Sequence, residues 1–334
     1  MRYFLTGATG FVGGRLARQL REAGHDVVAL VRSLGRAKEL ADLGVSLAEG
    51  DVTDKESMRA PMRGVDGVFH VAGWYRVGSR DRAAAEAINV FGTQNVLDLM
   101  RELAIPKGVY TSTLAVFSDT HGQLVDERFR FHAKHLSIYD ETKWRAHYEV
   151  AEPAIESGLP LVIVQPGLVF GPGDTSSLRR TLLQYLRGRL PLVPRETAYC
   201  WGHIEDTARA HVLAMEKGRP GESYIIAGPA HTLVEAFEIA ERITGVPAPR
   251  FEAPPALLRG LASAIERIER LVQLPLPETY TAEGLRVIAG VTYLGNSAKA
   301  RRELGFSARP LEEGLRETLL HEMRLLGMRP RTPS

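Results

Sequence analysis

The chain has 334 residues, 44% of them hydrophobic and 25% charged, and its formal net charge at pH 7 is +2. This composition is typical of a soluble globular protein of one or two domains, and the scattered basic residues exclude the clustered patch that a nucleic-acid partner requires. No apolar run reaches the ~18 residues of a membrane span and no secretory segment precedes the first strand, so we expect a cytoplasmic protein without a membrane partner.

Short apolar runs alternate with longer helical patterns through the first half of the chain. The predicted strands are Arg2–Thr6, Asp26–Val31, Val45–Glu49, Gly67–Val71, Gly108–Ser112 and Leu161–Gln165. The predicted helices are Phe11–Ala23, Arg36–Leu43, Arg82–Leu103 and Ser137–Ser157. The alternation predicts an α/β fold with a doubly wound parallel sheet, of the Rossmann type, and helices on both of its faces.

The pattern changes after Pro166, where proline and glycine become frequent and indicate loops. Gly202–Ala227 has the pattern of a helix and a strand that return to the sheet. We therefore predict a first domain over residues 1–165 and 202–227. The predicted second unit is a smaller, mostly helical C-terminal lobe over residues 166–201 and 228–334, which closes over the first domain and binds the substrate.

Three glycines at three-residue spacing, Gly7, Gly10 and Gly13, lie between the first strand and the first helix. Gly7 permits a tight turn, Gly10 lets the backbone approach a pyrophosphate, and Gly13 lets the helix pack closely on the strand. The amides at the start of the helix then face the phosphates. An ordinary turn would give the same triplet, but this position favours a dinucleotide, so we interpret the first domain as a dinucleotide-binding domain.

The end of the second strand indicates which dinucleotide binds. An NAD site usually has an acidic residue about 20 residues beyond the glycine loop, whereas this chain has Arg32. A cation there suits a 2′-phosphate, with Arg36 and Lys38 nearby, so we favour NADP(H) over NAD(H), although solvated surface cations would give the same pattern. Asp51, after the third strand, is placed to accept a hydrogen bond from the adenine amino group, or else caps a turn.

Tyr139 and Lys143 are four residues apart, which places both on one face of a helix. A tyrosine phenol titrates near ~10, and a neighbouring ammonium would lower that pKa, although such pairs are also common on surface helices. The fifth strand ends in the hydroxyl cluster Thr111-Ser112-Thr113, at the sheet edge where open α/β sheets bind ligands. A hydroxyl there would hold a substrate carbonyl while Tyr139 passes it a proton.

Seven motifs together resemble the extended short-chain dehydrogenase/reductases of the NAD-dependent epimerase/dehydratase family, over most of the chain. They are the glycine loop, Gly50-Asp51-Val52, His70-Val71-Ala72-Gly73, Asn89-Val90-Phe91-Gly92-Thr93, the Thr111-Ser112-Thr113 strand end, Tyr139 with Lys143, and the run from Gln165 to Gly173. The pattern is most similar to the dihydroflavonol 4-reductase-like branch and to related hopanoid-associated epimerase-like proteins.

The resemblance implies a role for each matched residue. Tyr139 is the proton donor or acceptor, Lys143 also binds the nicotinamide ribose, and Thr113 is the catalytic hydroxyl, with Ser112 as the alternative. Asn89 supports a proton-relay water, or is a structural amide at a helix bend. The implied cofactor-binding residues are Gly7, Thr9, Gly10, Phe11, Val12, Gly13, Arg32, Asp51, Val52, Val71, Ala72, Gly73, Thr111, Tyr139, Lys143, Pro166, Gly167 and Val169.

The chain departs from the family pattern at two positions. Gln165 stands where an arginine often precedes the proline of the sixth strand, so a positive charge near the cofactor is missing there. The catalytic hydroxyl belongs to Thr113 where a serine is commoner, and a threonine has the same capacity to donate and accept hydrogen bonds.

These features predict an NADP(H)-dependent oxidoreductase that transfers a hydride between nicotinamide and a ketone, aldehyde or alcohol. We expect Trp74, Tyr75, Ser112 and Phe170 to contact this small-molecule substrate, although the aromatic residues would equally suit core packing between the lobes.

Two other functions stay open. The first is a nucleotide-sugar epimerase or dehydratase that retains NAD, and the second is a non-catalytic cofactor sensor, which commonly lacks the tyrosine or the lysine. An epimerase would need cations in the second lobe for the diphosphate of its substrate. The candidate cations are Arg179, Arg180, Arg187, Arg189 and Arg195.

Three further expectations concern the rest of the chain. The helices Arg82–Leu103 and Ser137–Ser157 resemble those through which family members dimerise, and exposed apolar faces on them would support a homodimer. The three histidines in residues 121–136 lack metal-ligand spacing, so we predict no metal site and a mobile loop over the active site there. Cys200, the single cysteine, excludes an intrachain disulfide and is predicted to be a buried thiol rather than a nucleophile.

Overall fold

A computed structural model describes residues 1–269, 276 and 280–329 of the chain. Its strands are β1 (Arg2–Thr6), β2 (Asp26–Val31), β3 (Ser46–Glu49), β4 (Gly67–His70), β5 (Gly108–Thr111), β6 (Leu161–Pro166), β7 (Leu168–Phe170), β8 (Leu192–Pro194), β9 (Ala198–His203), β10 (Ser223–Ile226), β11 (Ala230–Thr232), β12 (Phe251–Ala253) and β13 (Thr292–Tyr293). Its α-helices are α1 (Phe11–Glu22), α2 (Lys38–Asp42), α3 (Lys55–Met62), α4 (Arg82–Glu86), α5 (Gly92–Glu102), α6 (Ile138–Arg145), α7 (Glu152–Glu156), α8 (Ser177–Leu186), α9 (Ile204–Lys217), α10 (Leu233–Thr244), α11 (Pro255–Glu269), α12 (Ala282–Arg286), α13 (Ala298–Leu304) and α14 (Leu311–Leu325).

Seven strands form one parallel sheet in the order β10-β6-β5-β4-β1-β2-β3. The order reverses between β1 and β4, and doubly wound sheets bind their ligands at such a switch point. Apolar side chains are buried on both faces, against α1 and α9 on one and against α3, α5 and α7 on the other. The predicted Rossmann-type α/β sheet is therefore confirmed, and the bounds of the six predicted strands differ from the observed ones by at most one residue.

The helices differ from the predictions in two ways. Helix α3 lies outside the predicted elements; the carboxylate of Asp54 caps it by accepting a hydrogen bond from the amide of Ser57. The two long predicted helices are each interrupted by a π-helical segment, Ala87–Phe91 and Ala146–Ala151, so they become the pairs α4–α5 and α6–α7. Within the described ranges, no helix has both the length and the hydropathy that a membrane crossing requires.

The C-terminal part contains small sheets beside its helices. Strand β9 pairs with β7, β11 and β13, and β8 pairs with β12. These strands have two to six residues, too few to show a clear alternation in the sequence, which explains why only helices were predicted there. Helix α9 and strand β10 return to the main sheet as predicted, while the division of the chain into two domains stays a prediction.

The outer surface of α4–α5 and α6–α7 is largely charged. Arg82 pairs with Glu141 at 2.8 Å and Arg145 pairs with Glu86 at 3.0 Å, so these ion pairs link the two helices. Phe91 is the one large apolar side chain that these helices expose. The expected apolar faces are therefore absent from this part of the described structure. The homodimer stays a prediction, and these helices give it no apolar contact surface.

Candidate active site

The turn between β1 and α1 has no room for side chains at Gly7 and Gly13. A Cβ on Gly7, whose φ is +75°, would lie 2.6 Å from the amide nitrogen of Ala72, and a Cβ on Gly13 would lie 2.1 Å from the carbonyl oxygen of Gly7. Gly10 caps α1 without a side-chain hydrogen bond, and the first turn of α1 has no acidic residue. The positive end of this helix is therefore open to an anion, which fits the pyrophosphate of a dinucleotide.

The predicted cofactor-binding residues follow the strands at the carboxyl edge of the main sheet, where doubly wound sheets bind ligands. Those after β1 are Gly7, Thr9, Gly10, Phe11, Val12 and Gly13; those after β2, β3 and β4 are Arg32, Asp51, Val52, Val71, Ala72 and Gly73; those at β5, β6 and β7 are Thr111, Pro166, Gly167 and Val169. The fold thus brings these separate segments to one edge.

Three cations lie beyond β2, on the side where the sequence predicts a 2′-phosphate. Arg32, Arg36 and Lys38 are exposed, and none of them has an ion pair with another described residue. Asp51 uses its Oδ1 to accept hydrogen bonds from the amide and the hydroxyl of Thr53, both at 2.9 Å. The turn-forming role that we left open for Asp51 is therefore present, and its contact with adenine stays a prediction.

Tyr139 lies in the first turn of α6, and Thr113 at the end of β5 lies near its hydroxyl. The hydroxyl of Thr113 accepts a hydrogen bond from the amide of Ala115 at 3.1 Å, which holds its χ1 angle. Burial raises the pKa of Tyr139 well above its ordinary value, so the phenol carries its proton. The structure thus brings together the predicted proton donor and Thr113.

Lys143 lies one turn further along α6 and contacts different groups. Its Nζ donates to Tyr110 Oη at 3.0 Å and to the carbonyl oxygen of Thr111 at 2.8 Å. Burial lowers the pKa of Lys143 to about 7. Desolvation disfavours the charged forms of both side chains, so the lowering of the Tyr139 pKa by the ammonium stays a prediction.

The imidazole of His70 is fixed as one neutral tautomer. The hydroxyl of Thr6 accepts from the amides of Val71 and Ala72, so its proton goes to His70 Nδ1 at 2.8 Å. The Nε2–H of His70 then donates to Thr93 Oγ1 at 3.0 Å. Burial lowers the pKa of His70 to about 3, so the ring stays neutral at physiological pH.

Thr93 joins His70 to Lys143. Its hydroxyl donates to the carbonyl oxygen of Asn89 at 2.6 Å and lies near the hydroxyl of Tyr110, which accepts from Lys143 Nζ at 3.0 Å. We call these buried groups the polar layer, comprising Thr6, His70, Asn89, Thr93, Tyr110 and Lys143. The sequence pattern contained His70 and Thr93 within its motifs, but only their spatial proximity reveals this connection.

The structure favours the structural role that we left open for Asn89. Its Oδ1 accepts from the amide of Trp74 at 2.7 Å, and its Nδ2 donates to the carbonyl oxygen of Trp74 and to Thr142 Oγ1, at 3.1 and 2.9 Å. Both amide hydrogens of the side chain are therefore used, and the backbone carbonyl oxygen of Asn89 accepts a hydrogen bond from the hydroxyl of Thr93. Asn89 positions the loop after β4 against α6, and the predicted proton-relay role is not supported.

Ser112 does not face the substrate side. Its side chain is 3% exposed and its hydroxyl lies 2.7 Å from Nδ1 of His147, within the core behind α6. Because this hydroxyl already has a buried partner, the structure supports neither the substrate contact nor the catalytic alternative predicted for Ser112.

The other predicted substrate residues have different environments. The ring of Tyr75 is 47% exposed and lies edge-on to the ring of Tyr139, with centroids 4.8 Å apart. Trp74 is largely buried, and Phe170 is 1% exposed in T-shaped contacts with Trp201 and His203. Tyr75 therefore remains the candidate substrate contact, whereas Phe170 is a core residue, which is the alternative that we left open.

Two tyrosines that were not predicted complete the aromatic side of the site. The rings of Tyr199 and Tyr293 stack with centroids 5.7 Å apart and an interplanar angle of 3°. Tyr293 donates to the carboxyl of Asp140, the neighbour of Tyr139 in the chain, at 3.1 Å. We call Tyr75, Tyr139, Tyr199 and Tyr293 the tyrosine wall. No motif signalled this, because β9 and β13 are short and distant in sequence.

Glu283 on α12 holds the loop after β4 against the catalytic helix. Its carboxylate accepts from the amide of Gly78 at 2.8 Å and from the amide of Ile138, at the start of α6, at 3.3 Å. The C-terminal part of the chain thereby fixes both the loop that follows Tyr75 and the helix that carries Tyr139.

The segment 121–136, predicted to be a mobile loop over the active site, is anchored elsewhere. Val125 forms a bridge with Gly295, and the carboxylate of Glu127 accepts from the amide of Ile225 at 2.9 Å. Phe129 packs edge-on against Phe117 with ring centroids 5.6 Å apart. These contacts fix the middle of the segment on the core, and a covering role for the rest of it stays a prediction.

Two buried side chains lie behind the carboxyl edge. Cys200 is 1% exposed and its Sγ is 3.5 Å from the carbonyl oxygen of Gly295, so the predicted buried thiol is confirmed. Gln165, which stands in place of the family's arginine, is also 1% exposed, and neither its Oε1 nor its Nε2 has a hydrogen-bond partner within the described structure.

Some of the cations considered for a nucleotide-sugar diphosphate are already paired. Arg179 forms a bidentate ion pair with Glu322, which is 1% exposed, at 2.7 and 3.0 Å. Arg195 pairs with Glu252 at 3.2 Å. These two guanidinium groups would have to leave carboxylates before binding a diphosphate.

Comparisons with known proteins agree with this architecture. The model of the NAD dependent epimerase/dehydratase family matches residues 3–227. A putative dihydroflavonol 4-reductase of Synechocystis sp. is 31% identical, covering 95% of this chain and 93% of that protein. A 2-alkyl-3-oxoalkanoate reductase of Shewanella oneidensis is 30% identical, covering 94% of this chain and 84% of that protein. The crystal structure of gox2253 has 31% identity and a TM-score of 0.84, covering 98% of this chain and 99% of that one.

Proposed function

This chain belongs to the NAD-dependent epimerase/dehydratase family, and from that premise we propose that it reduces hydrophobic ketones or aldehydes with NADPH and oxidises the corresponding alcohols. It is an enzyme of the extended short-chain dehydrogenase/reductase type, with relatives named as reductases. The observation that carries the proposal is the position of the Tyr139 phenol, which lies near Thr113 and edge-on to the ring of the exposed Tyr75.

The chain's own residues perform the acid–base half of this reaction. The glycine turn at α1 would hold the cofactor, whose nicotinamide supplies the hydride when bound. Thr113 fixes the substrate carbonyl oxygen, and Tyr139 gives its phenolic proton to that oxygen as the carbon is reduced, which yields the alcohol. Lys143, held by Tyr110 and Thr111, is the cation that favours the phenolate left behind.

The preference for NADPH is supported by the exposed cations after β2. Arg32 lacks an acidic partner among the described residues, and a guanidinium binds a phosphate in bidentate geometry. We expect Arg32→Ser to lower kcat/KM with NADPH by about tenfold or more and to leave the value with NADH nearly unchanged. Arg63→Ser, which removes an exposed arginine elsewhere, is the matched control. An equal loss with both cofactors would contradict the NADP(H) assignment.

The function itself is tested with a panel of carbonyls and alcohols, run with NADPH and NADH in parallel and compared with nucleotide sugars. We expect stoichiometric consumption of NADPH with an apolar ketone or aldehyde. The paired states of Arg179 and Arg195 disfavour a diphosphate substrate. Turnover of a nucleotide sugar without net loss of cofactor would overturn the proposal in favour of an epimerase, and cofactor binding without any reduction would favour a sensor.

A further inference from the structure

Helix α11 exposes an apolar stripe in the part of the chain that the structure describes. Leu257, Leu261, Ala264 and Ile268 recur every three or four residues, so they lie on one side of the helix. The exposed fractions of the three larger side chains are 42%, 46% and 47%. We call these four residues the α11 face.

The same helix has a second apolar side that is buried. Leu258 and Ala262 are each 2% exposed and pack with Leu285 and Ala289 in a small core cluster. The apolar arc of α11 is therefore wider than the surface that its neighbours cover. A helix that only completed the fold would need the buried side alone, so the α11 face calls for another contact surface.

The charges on and beside this helix favour an anionic contact surface. Arg250, before β12, and Arg267, on the flank of the α11 face, are exposed and have no acidic partner among the described residues. Arg259 lies on the opposite side of α11, where its Nη1 donates to the carbonyl oxygen of Ala289 at 3.1 Å. The nearby carboxylates are neutralised, since Glu266 pairs with Arg286 and Glu269 pairs with Arg80. Among the described residues, the unpaired arginines near α11 therefore outnumber the unpaired carboxylates, which gives this region a positive charge.

In contrast to our expectation of no membrane partner, we infer that the α11 face docks on an anionic lipid surface. Its leucine and isoleucine side chains would lie in the headgroup boundary, with Arg267 at the phosphates. An amphipathic helix with cations beside an apolar face has the chemistry of such an interfacial anchor. A second copy of this chain suits the face less well, because a symmetric contact would bring the same cations together.

The docking helix adjoins the loop beside the site. Nη2 of Arg80, in the loop that carries Tyr75, lies 3.4 Å from Oε1 of Glu269 at the end of α11. Lipid contact on the α11 face would therefore occur next to the loop that carries Tyr75. This inference does not depend on the reaction that the site performs.

The test is cosedimentation of the full chain with phosphatidylcholine vesicles, with and without phosphatidylglycerol. We expect the full chain to bind the anionic vesicles and to dissociate as salt is raised. The double variant Leu261→Glu/Ile268→Glu should bind the anionic vesicles at least about tenfold more weakly, since it places charge in the apolar boundary. Leu325→Glu, at a leucine that is 64% exposed on α14, is the matched control and should bind as the unmodified chain does.

Arg267→Glu gives a second measurement that leaves the apolar stripe intact. It should reduce binding to the anionic vesicles and leave the melting temperature within a degree or two of the unmodified chain. Absence of vesicle binding by the unmodified chain, or equal losses in Leu325→Glu and the double variant, would overturn the inference. Light scattering that shows a dimer converted to a monomer by the double variant would also overturn it, because a second copy would then occupy the face.

Discussion

Two successive turns on one face of helix α6 have different surroundings. Lys143 enters the polar layer, where Thr6, His70 and Thr93 each have defined donors and acceptors. Tyr139, one turn away, belongs to the tyrosine wall and contacts the ring of Tyr75. One helix therefore carries the two central side chains of the site into two different environments.

The polar layer positions the helix, whereas the tyrosine wall contains the group that we assign to the chemistry. In the polar layer almost every proton is committed to a partner, so this region fixes distances and resists change. In the tyrosine wall the phenol of Tyr139 stays protonated and its neighbours leave an apolar surface beside it. A substrate would meet the wall, and the layer would hold the helix that presents it.

The largest expected effect comes from removing the phenolic hydroxyl of Tyr139 from the tyrosine wall. Tyr139→Phe keeps the ring but deletes the proton that we assign to the forming alcohol, so kcat should fall by about 10³-fold or more. Cofactor affinity, measured by NADPH fluorescence, should stay within about twofold, because the glycine turn is untouched. Tyr75→Phe, which retains the neighbouring ring, is the control and should keep most of the activity. Substantial turnover by Tyr139→Phe would contradict the assignment.

The second prediction tests the neutrality of the polar layer. The pKa of His70 falls to about 3 on folding, so its contribution to stability is present above its unfolded pKa of about 6.5 and is lost as the pH falls below that value. Between pH 7 and pH 5 the unfolding free energy should drop by about 2 kcal/mol from this residue.

Urea unfolding of the unmodified chain and of His70→Gln at both pH values measures that contribution. The variant loses hydrogen bonds and is less stable at pH 7, but its stability should depend less on pH by about 2 kcal/mol. If both proteins lose the same free energy on acidification, His70 is not held neutral in the folded state.

The contrast between the two regions also sets what could be predicted from the sequence. Gly7, Gly10 and Gly13 lie at one local turn, and Tyr139 and Lys143 lie on one helix, so spacing alone was sufficient to find them. The main sheet was equally accessible because each buried strand is a short apolar run followed by a helical pattern.

The sequence could not distinguish residues whose roles depend on direction. Thr113 and Ser112 are adjacent, but successive side chains at a strand end point to opposite sides, so one meets Tyr139 and the other meets His147. Tyr199 and Tyr293 come from short strands far along the chain, and only folding brings them to the wall. Phe170 looked like a pocket residue because apolar side chains line pockets and cores alike.

The third prediction concerns the contact that holds Lys143 in the polar layer. Tyr110→Phe removes an acceptor of the ammonium, so the pKa of Lys143 should fall further and kcat should drop by about tenfold. The limb of the pH–rate profile that depends on Lys143 should move to lower pH. Tyr185→Phe, whose hydroxyl donates to the carbonyl oxygen of Val246 at 2.6 Å, is the matched control. A loss of stability without a shift of the profile would show that Tyr110 acts only in packing.

The smallest expected effect lies within the wall itself and compares its two stacked rings. Tyr293 donates to Asp140, whereas the hydroxyl of Tyr199 has no hydrogen bond to another described residue. Tyr293→Phe should therefore lower the unfolding free energy by about 1 kcal/mol, and Tyr199→Phe should change it by much less.

Because burial raises the pKa of Asp140 to about 7, the loss in Tyr293→Phe should be larger at pH 8, where this carboxyl is ionised, than at pH 5. Chemical unfolding of both variants at the two pH values measures the difference. Equal losses would mean that the stacking, and not the bond to Asp140, ties the C-terminal part to the catalytic helix.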